Sequence, residues 1–304
     1  MPVPSNRSDL GDFACFLAIA RHLNFRRAGL ELGVTTSAIS HALKGLEARL
    51  GVRLVNRTNR SVTLSAAGEQ LRAAIDGPFA AIGQAVDDLN RFRERPGGRI
   101  RLNVVADAAA LLLAPVMGAF ATRYPEIEVD IVASNRMVDI TGEGFDAGIR
   151  HGGTVPEDMI AQRLSADLRW IVAGAPQYLE RHGTPEHPDD LRHHRCLGVR
   201  LGDDSVYRWE FTGPDGDRDI AVPGHITADD SRTMMAMAIA GAGLTYGTQA
   251  AMAREVAAGL LRPVLSDWAV TGPGYHIYYS SRRQVPTGIR LLVDLIRELR
   301  PMGL

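Results

Sequence analysis

The stretch GVTTSAISHALKGLEARLG, residues 33–51, constrains this chain more than any other. Glycine accepts the left-handed backbone that ends a helix, so Gly33 closes one helix and Gly51 the next. Thr35 lies between them as an N-cap, its hydroxyl free to take a backbone N–H of the new helix. At 100° per residue, Ile39, Ala42, Leu43, Leu46 and Leu50 fall within one sector of about 100°. The opposite sector holds Thr36, Ser37, Ser40, His41 and Lys44. A solvated face favours Glu, Lys, Gln and Arg. Ser and Thr are mediocre helix formers, with no propensity reason to cluster there. Short side chains let a helix backbone approach base edges, and His41 and Lys44 reach guanine acceptors or phosphate.

The flanking sequence completes a helix-turn-helix. Leu10, Phe13, Phe16, Leu17 and Ala20 recur at helical spacing, which predicts a first helix with these residues inward. Asn24 caps a short helix over residues 25–32. After residue 51, Leu54-Val55 and Val62-Thr63-Leu64 read as two short strands around the polar tip Arg57-Thr58-Asn59-Arg60. This is either a wing, whose Arg53, Arg57 and Arg60 suit phosphate or minor-groove contact, or an ordinary hairpin with solvated arginines. Ser65 then caps a long helix over 66–94. Its apolar residues Leu71, Ile75, Phe79, Ile82, Val86 and Leu89 are spaced 4, 4, 3, 4 and 3. That stripe fits a two-helix dimer seam, or burial against the helix's own domain. Pro78, after Asp76-Gly77, is expected to bend or break it.

Net charge over 304 residues is −1, but its distribution is uneven. Residues 1–65 carry nine Lys+Arg against four Asp+Glu, net +5; the remaining 25 and 31 give −6. A basic end joined to an acidic remainder points to a nucleic-acid module attached to something else. The first residues lack the apolar run of a secretory signal. The apolar segment 108–121 contains Pro115 and Gly118, is short for a bilayer span, and reads as a buried helix. Cys15 and Cys196 are far apart, and a reduced cytoplasmic protein away from the membrane is expected.

Arg95-Pro96-Gly97-Gly98 reads as a boundary. Beyond it, RIRLNVVA alternates as a strand, a helix follows over 109–124, then the strand IEVDIVAS, a short helix over 138–143 and the strand FDAGIR. This rhythm predicts a mostly parallel sheet with helices on both faces. LRWIVAGA, CLGVRL, a hairpin at YRWEFTGPDGDRDIAV, a helix over 230–242, HIYYSS and a last helix over 288–299 continue it.

The N-terminal residues resemble the LysR-type transcriptional regulators. Phe16, Phe25, Ala28, Leu32, Val34, Ser37-Ala38-Ile39-Ser40, Leu46-Glu47, Leu50-Gly51, Leu54, Arg57, Thr63-Leu64 and Ala67-Gly68 carry the likeness. Val138-Asp139-Ile140 near EGFDAGIR, then APQYL, HGTPEHPDDL, HRCL and the Asp229-Asp230 to Gly241-Ala242-Gly243 segment extend it over nearly the whole chain. The resemblance implies an all-α winged helix-turn-helix domain at 1–65, a linker and dimerisation helix at 66–95, and an effector-binding domain at 96–304. That last domain would be α/β, two-lobed and similar to periplasmic binding proteins. Lobe I would take residues 99–168 and 272–304, and lobe II 169–271, with crossovers at 168–171 and 267–272.

Thr35, Thr36, Ser37, Ser40, His41, Lys44, Arg53, Arg57 and Arg60 would then contact double-stranded DNA at an inverted-repeat promoter site. The effector cleft would be lined by Asp107, Ala108, Ser134, Asn135, Arg150, His151, Leu201, Gly202, Thr227 and Tyr246. The family's pattern implies a homodimer paired into a tetramer, an unidentified small-molecule effector, and contact with RNA polymerase if the protein activates. The chain departs from that pattern twice. Thr36 stands where Gln is common, and Asp107 where many relatives have Ser or Thr. An aspartate there repels a carboxylate ligand, or simply caps its helix.

No cofactor and no metal are expected. His193-His194-Arg195-Cys196 fits no zinc spacing, and surface histidines beside a buried cysteine are the simpler reading. There is no P-loop and no Gly-x-Ser-x-Gly, and Gly241-Ala242-Gly243 follows a helix where a dinucleotide fingerprint needs a strand. A DNA-binding regulator therefore ranks first, a cytosolic small-molecule binder second, and an enzyme third.

Overall fold

The computed structural model describes residues 8–57, 61–89, 95–140, 142–156, 159–201, 204–213, 216–224, 226–280 and 285–304. The chain divides into two compact units, one of residues 1–92 with 141–144 and one of residues 93–140 and 145–304.

In the first unit, α1 (Ser8–His22), α2 (Phe25–Leu32) and α3 (Thr36–Leu50) lead to the antiparallel strands β1 (Val55–Arg57) and β2 (Val62–Leu64), then α4 (Ala66–Asp88). Phe16, Leu17 and Ile19 of α1 close over Ile39, Leu43 and Leu46 of α3 and Leu54. Leu10 and Leu50 are exposed instead of inward, because each lies at a helix end that overshoots the core. Asn24 accepts the N–H groups of Arg26 and Arg27, and Gly33 adopts φ +66°. Gly68 is required by close approach, since a Cβ there would lie 2.1 Å from the Leu54 carbonyl oxygen.

α4 is not broken at Pro78; it runs through the proline as one helix. The lost backbone bond is offset by packing on either side, where Ile75 and Phe79 lie against the winged-helix core. The apolar stripe divides there. Leu71, Ile75 and Phe79 serve the helix's own domain, whereas Ile82, Val86 and Leu89 are more than half exposed, at 53–55%.

The second unit opens with β3 (Gly97–Val104). A helix follows from Ala106 to Arg123, made of α5 (Ala106–Ala108), a wider π-helical turn at Ala109–Leu113 and α6 (Ala114–Arg123). Only one side of it is buried: Leu112, Leu113, Val116 and Phe120 enter the core, while Ala114, Pro115, Gly118 and Ala119 are exposed. Next come β4 (Glu126–Ala133), β5 (Ala147–His151) and β6 (Met159–Arg163). No helix forms over the described part of 138–143; Ile140 and Phe145 instead fold inward against Tyr278.

The chain continues through β7 (Leu168–Gly174), α7 (Pro176–His182), β8 (Leu197–Val199), the hairpin β9 (Trp209–Gly213) and β10 (Gly216–Ile220), and β11 (Ile226–Ala228). It ends with α8 (Ser231–Ile239), β12 (Thr245–Thr248), α9 (Gln249–Ala257), β13 (Arg262–Val264), β14 (Val270–Gly272), β15 (Tyr275–Ser280) and α10 (Thr287–Leu299).

One five-stranded sheet has the order β4-β3-β5-β15-β6, and packs Ile100, Leu102, Ile149 and Ile277 against α6 and α10. β3 is parallel to β4 and β5, but β15 is antiparallel to both its neighbours. The second lobe centres on β7, antiparallel to β12, β13 and β14, with β8 and β11 paired in parallel beside it. The sheets are thus mixed rather than mostly parallel. Strands returning from the other lobe arrive from the opposite end, which helical periodicity does not reveal.

The chain passes between the lobes at residues 164–167 and again at Pro273 and Gly274. The segments expected to cross, 168–171 and 267–272, instead contribute the antiparallel pair β7 and β14, with Leu168 opposite Gly272. At the true crossings the Leu164 N–H donates to the Tyr275 carbonyl at 2.8 Å, and the Tyr275 N–H to Ser165 Oγ at 2.8 Å.

Candidate functional site

On α3 the sorting of side chains follows the helical projection. Ile39, Leu43 and Leu46 are buried, while Thr36, Ser37, His41 and Lys44 are exposed. Thr35 caps the helix, its Oγ1 accepting the Ala38 N–H at 3.2 Å. Ser40 is half-buried and already engaged, accepting from Arg57 Nη1 at 3.1 Å. The same guanidinium lies 3.7 Å over the Phe25 ring. Arg57 therefore ties the wing to α2 and α3, and its charge is held beside the exposed face. Arg53 is exposed nearby in sequence, and Arg60 lies outside the described residues.

Sequence reasoning missed Glu47. Its carboxylate accepts the N–H groups of Leu54 at 2.8 Å and Val55 at 3.1 Å, locking α3 to β1. Glu47 stands in the sequence only as one residue of the family resemblance, and nothing local signals its backbone partners. Asp12 with Arg49 at 2.5 Å, and Glu31 with Arg21 and with His22 at 2.6 Å, fasten α1 to its neighbours.

In the second unit the expected cleft residues separate into groups. Asp107 and Ala108 sit in the first turn after β3. Asp107 Oδ1 accepts the Ala108 N–H at 2.9 Å, and Oδ2 lies 3.3 Å from His151 Nε2. Burial pushes the Asp107 carboxyl up, but the hydrogen bond and charge of His151, with Tyr275 and the Ala108 N–H, outweigh it and hold the group below the usual carboxylate range. Asn135 spans the lobes: its Oδ1 accepts the Ala106 N–H at 3.3 Å and its Nδ2 donates to the Asp229 carbonyl at 2.9 Å. Arg232 Nη2 also crosses, to the Ala106 carbonyl at 3.5 Å. Ser134 Oγ accepts the Arg136 N–H at 3.2 Å.

Three expected lining residues, Ala108, Arg150 and Tyr246, are interior instead, and Ala108 is part of the hydrophobic core. Arg150 is 2% exposed, because alternation along β5 turns it to the sheet face opposite Ile149. It donates to Asn103 Oδ1, to the Ile149 carbonyl at 3.1 Å and to the Arg136 carbonyl at 2.8 Å, bracing the loop that carries Asn135. Burial lowers its pKa, against the charges of Tyr278 and Asp107. Tyr246 is buried within a ring cluster, 5.5 Å from Trp170 and 5.4 Å from Trp209, with its hydroxyl donating to the Glu210 carbonyl.

Thr227 lies on β11 beside a cavity of about 160 Å³, lined also by Gly198, Val206, Tyr207, Val222 and Gly224. Leu201 is exposed in the loop after β8, and Gly202 lies outside the described residues. Next to Tyr207 and His151 lies an aromatic residue that no sequence signal marked. Trp170 packs 5.0 Å from the His151 ring and 6.3 Å from Tyr207.

In the His193–Cys196 segment His193 is a surface histidine as expected, but His194 is buried with Cys196. Burial raises the Cys196 thiol to about 12, and His194 sits beside the Tyr178 hydroxyl at 3.4 Å. Among the described residues no group of three or more His, Cys, Asp or Glu is placed to hold a metal ion.

Residues 10–69 match the model of the bacterial regulatory helix-turn-helix protein, lysR family, and residues 93–301 match the LysR substrate binding domain. The chain belongs to the LysR family. It is 38% identical over 291 residues to the HTH-type transcriptional regulator YcaN of Escherichia coli K12, covering 96% of this chain and 95% of that one. The HTH-type regulator PgrR of the same organism is 31% identical, with 96% and 98% covered. Among solved structures, the LysR-type regulator CrgA of Neisseria meningitidis superposes with a TM-score of 0.60 at 27% identity, over 95% of this chain and 98% of that one. The full-length Vibrio cholerae virulence activator AphB gives 0.68 at 23%, over 96% and 99%, a likeness of fold. This LysR-family chain is a transcriptional regulator, not an enzyme. It joins a helix-turn-helix DNA-binding domain to an effector-binding domain.

Proposed function

We propose that this regulator acts in the cytoplasm as a homodimer, paired into a tetramer, that lays α3 in successive major grooves of an inverted repeat. The observation that carries the reading is the sorting on α3: Thr36, Ser37, His41 and Lys44 face out over a core of Ile39, Leu43 and Leu46, with Arg57 fastened alongside. Thr36, Ser37, His41 and Lys44 read base edges, and Thr35 adds a hydroxyl at the helix start. Ser40 acts through Arg57, which it orients. Arg53, Arg57 and Arg60 meet phosphates, which makes binding steeply salt-dependent. Ile82, Val86 and Leu89 are the dimer seam, since a lone helix leaves their apolar surface in water. RNA polymerase is a further partner if the protein activates.

The effector reading rests on the lobe-spanning wall: Asp107, Ser134, Asn135 and His151 on one side, Thr227 and Leu201 on the other. A ligand that changes the Asn135–Asp229 bridge shifts the lobes and so the spacing of the DNA-binding heads.

Chromatin immunoprecipitation with sequencing of the intact protein in its host tests the first part. Discrete peaks over inverted repeats upstream of genes are expected. A flat profile across several growth conditions, together with no shift of a genomic DNA library in vitro, overturns it. Sedimentation of Ile82→Asp tests the seam: it should give monomers with unchanged circular dichroism, and an unaltered oligomer would place the interface elsewhere.

A further inference from the structure

We infer that the second lobe holds the uncharged, apolar part of the effector, a single ring or a branched alkyl group, in the cavity between Gly198, Tyr207 and Thr227. The inference rests on the effector reading for its purpose, since Thr227 belongs to both. Its chemistry comes from the cavity's own lining.

The cavity lies where the core of the second lobe lacks a side chain. Cys196 and Gly198 share one face of the chain at β8, because side chains alternate along a strand. Cys196 is buried in the core that holds Trp209 and Tyr246. Two residues on, Gly198 leaves a space of about 160 Å³, whose other walls are Val206, Tyr207, Ala221, Val222, Gly224 and Thr227.

A glycine inside a strand commonly marks a bulge, a close backbone or an approaching ligand. β8 has no bulge here: Gly198 pairs with Thr227 in unbroken parallel register, with Leu197 opposite Ile226 and Val199 opposite Ala228. No backbone crowds it either. A Cβ at Gly198 would meet the side chains of Thr227 and Val206, each at 3.1 Å, and a backbone atom only at 3.7 Å. Gly224 differs, because a Cβ there would lie 2.2 Å from the Cys196 carbonyl oxygen. Gly198 therefore keeps space open for something that is not protein.

The lining sets the class of that occupant. Among the described residues around the cavity the one ionisable group is the Tyr207 phenol, which burial and the Glu210 carboxylate push up, so it stays neutral. Its hydroxyl already donates to Glu210 Oε1 at 2.7 Å. A charge buried here would find no counter-charge, which is strongly disfavoured. The Thr227 hydroxyl has no hydrogen-bond partner among the described residues and can meet one polar atom of a ligand. Roughly 150 Å³ of apolar cavity holds a benzene ring, so the room is that of one ring.

Tyr207 also connects the cavity to the other lobe. Its ring stacks on Trp170 with centroids 6.3 Å apart, and Trp170 packs 5.0 Å from His151 of the first lobe. An occupant seated against Tyr207 touches a continuous row of rings that crosses between the lobes, which gives its binding a physical route to their arrangement.

Saturation-transfer NMR on the full chain, with toluene, phenol and N-methylpyridinium as probes, tests the inference. Toluene and N-methylpyridinium share one shape and differ in charge, and a cation is the one ion that the Tyr207 ring face would favour. Toluene and phenol should bind at least about tenfold more tightly than N-methylpyridinium, because the cavity offers no counter-charge. Val206→Phe fills the space from its exposed rim and should abolish binding of both neutral rings with circular dichroism unchanged. Gly198→Ala, which narrows the space from the strand, should weaken both. Thr227→Val should weaken phenol and leave toluene unchanged. N-methylpyridinium binding as well as toluene, neither neutral ring binding, or binding that survives Val206→Phe overturns the inference. Chromatin immunoprecipitation of Val206→Phe tests the effector reading separately. Neutral rings that bind the native chain, with a genomic profile that Val206→Phe leaves unchanged in every growth condition, would sink the effector reading while the cavity's ligand class stands. A changed profile with no ring bound would do the reverse.

Discussion

The exposed face of α3 and the wall between the lobes both carry polar side chains, yet they are built in opposite ways. The α3 face is local. Four residues within two and a half turns point outward, with Ser40 half-buried among them, because the three opposite them are buried, and one helix sets their geometry. The cleft is assembled from positions up to 126 residues apart, such as Ala106 and Arg232, and depends on the register of two sheets. A face of the first kind tolerates substitution without loss of fold. A wall of the second kind couples its polar groups to one another, so that Asp107, His151 and Asn135 are positioned by what they bind within the protein.

The strongest way to break that contrast is to compare substitutions on the two sides of α3. Leu43→Ala should cost about 2–5 kcal/mol in urea unfolding, because a fully buried side chain leaves a cavity. Ser37→Ala should stay within about 0.5 kcal/mol while weakening DNA binding. Equal losses of stability would make the polar face a structural element.

Glu47→Ala should come next, at about 1–3 kcal/mol, since it strands the N–H groups of Leu54 and Val55. If stability is unchanged, the lock between α3 and the wing is not needed.

Affinity effects follow. His41→Ala should relax specificity at one base position, losing about 1–3 kcal/mol there. Arg57→Ala should weaken all sequences alike and reduce the salt slope by about one; an unaltered slope argues that the arginine serves only Phe25 and Ser40.

The smallest effect sharpens the cleft side. The Asp107 carboxyl is held below its ordinary value in the folded protein, so its ionised form contributes stability at pH above the unfolded value of about 4. That contribution disappears as pH falls through the lower, folded value. The melting temperatures of the native protein and Asp107→Asn should therefore differ at neutral pH and converge on acidification below about pH 4. A difference that grows on acidification would mean that the carboxyl is protonated when folded.

Legibility in the sequence followed the same division. Caps at Asn24 and Thr35, stops at Gly33 and Gly51, and the α3 face were readable because each depends on neighbours within one helical turn. The stripe on α4 was readable as apolar but not as divided. Both partners fit the same spacing, and only the fold shows that Phe79 is covered while Ile82 is not. Arg150 and His151 are adjacent in the chain and were assigned together. Strand alternation sends one beneath the sheet and the other to the wall, and their burial depends on which face the 134–146 segment covers.

The sequence by itself determined the helix-turn-helix, the polar face of α3, the family and the two-part plan, because capping, periodicity and charge are properties of short segments. Only the tertiary structure decided that Arg57 is pinned by Phe25 and Ser40, that Glu47 binds the wing backbone, and that Asp107 is held by His151 and the Ala108 N–H. Each of these depends on distances between residues remote in the chain, and such distances are fixed by the packing of the whole domain.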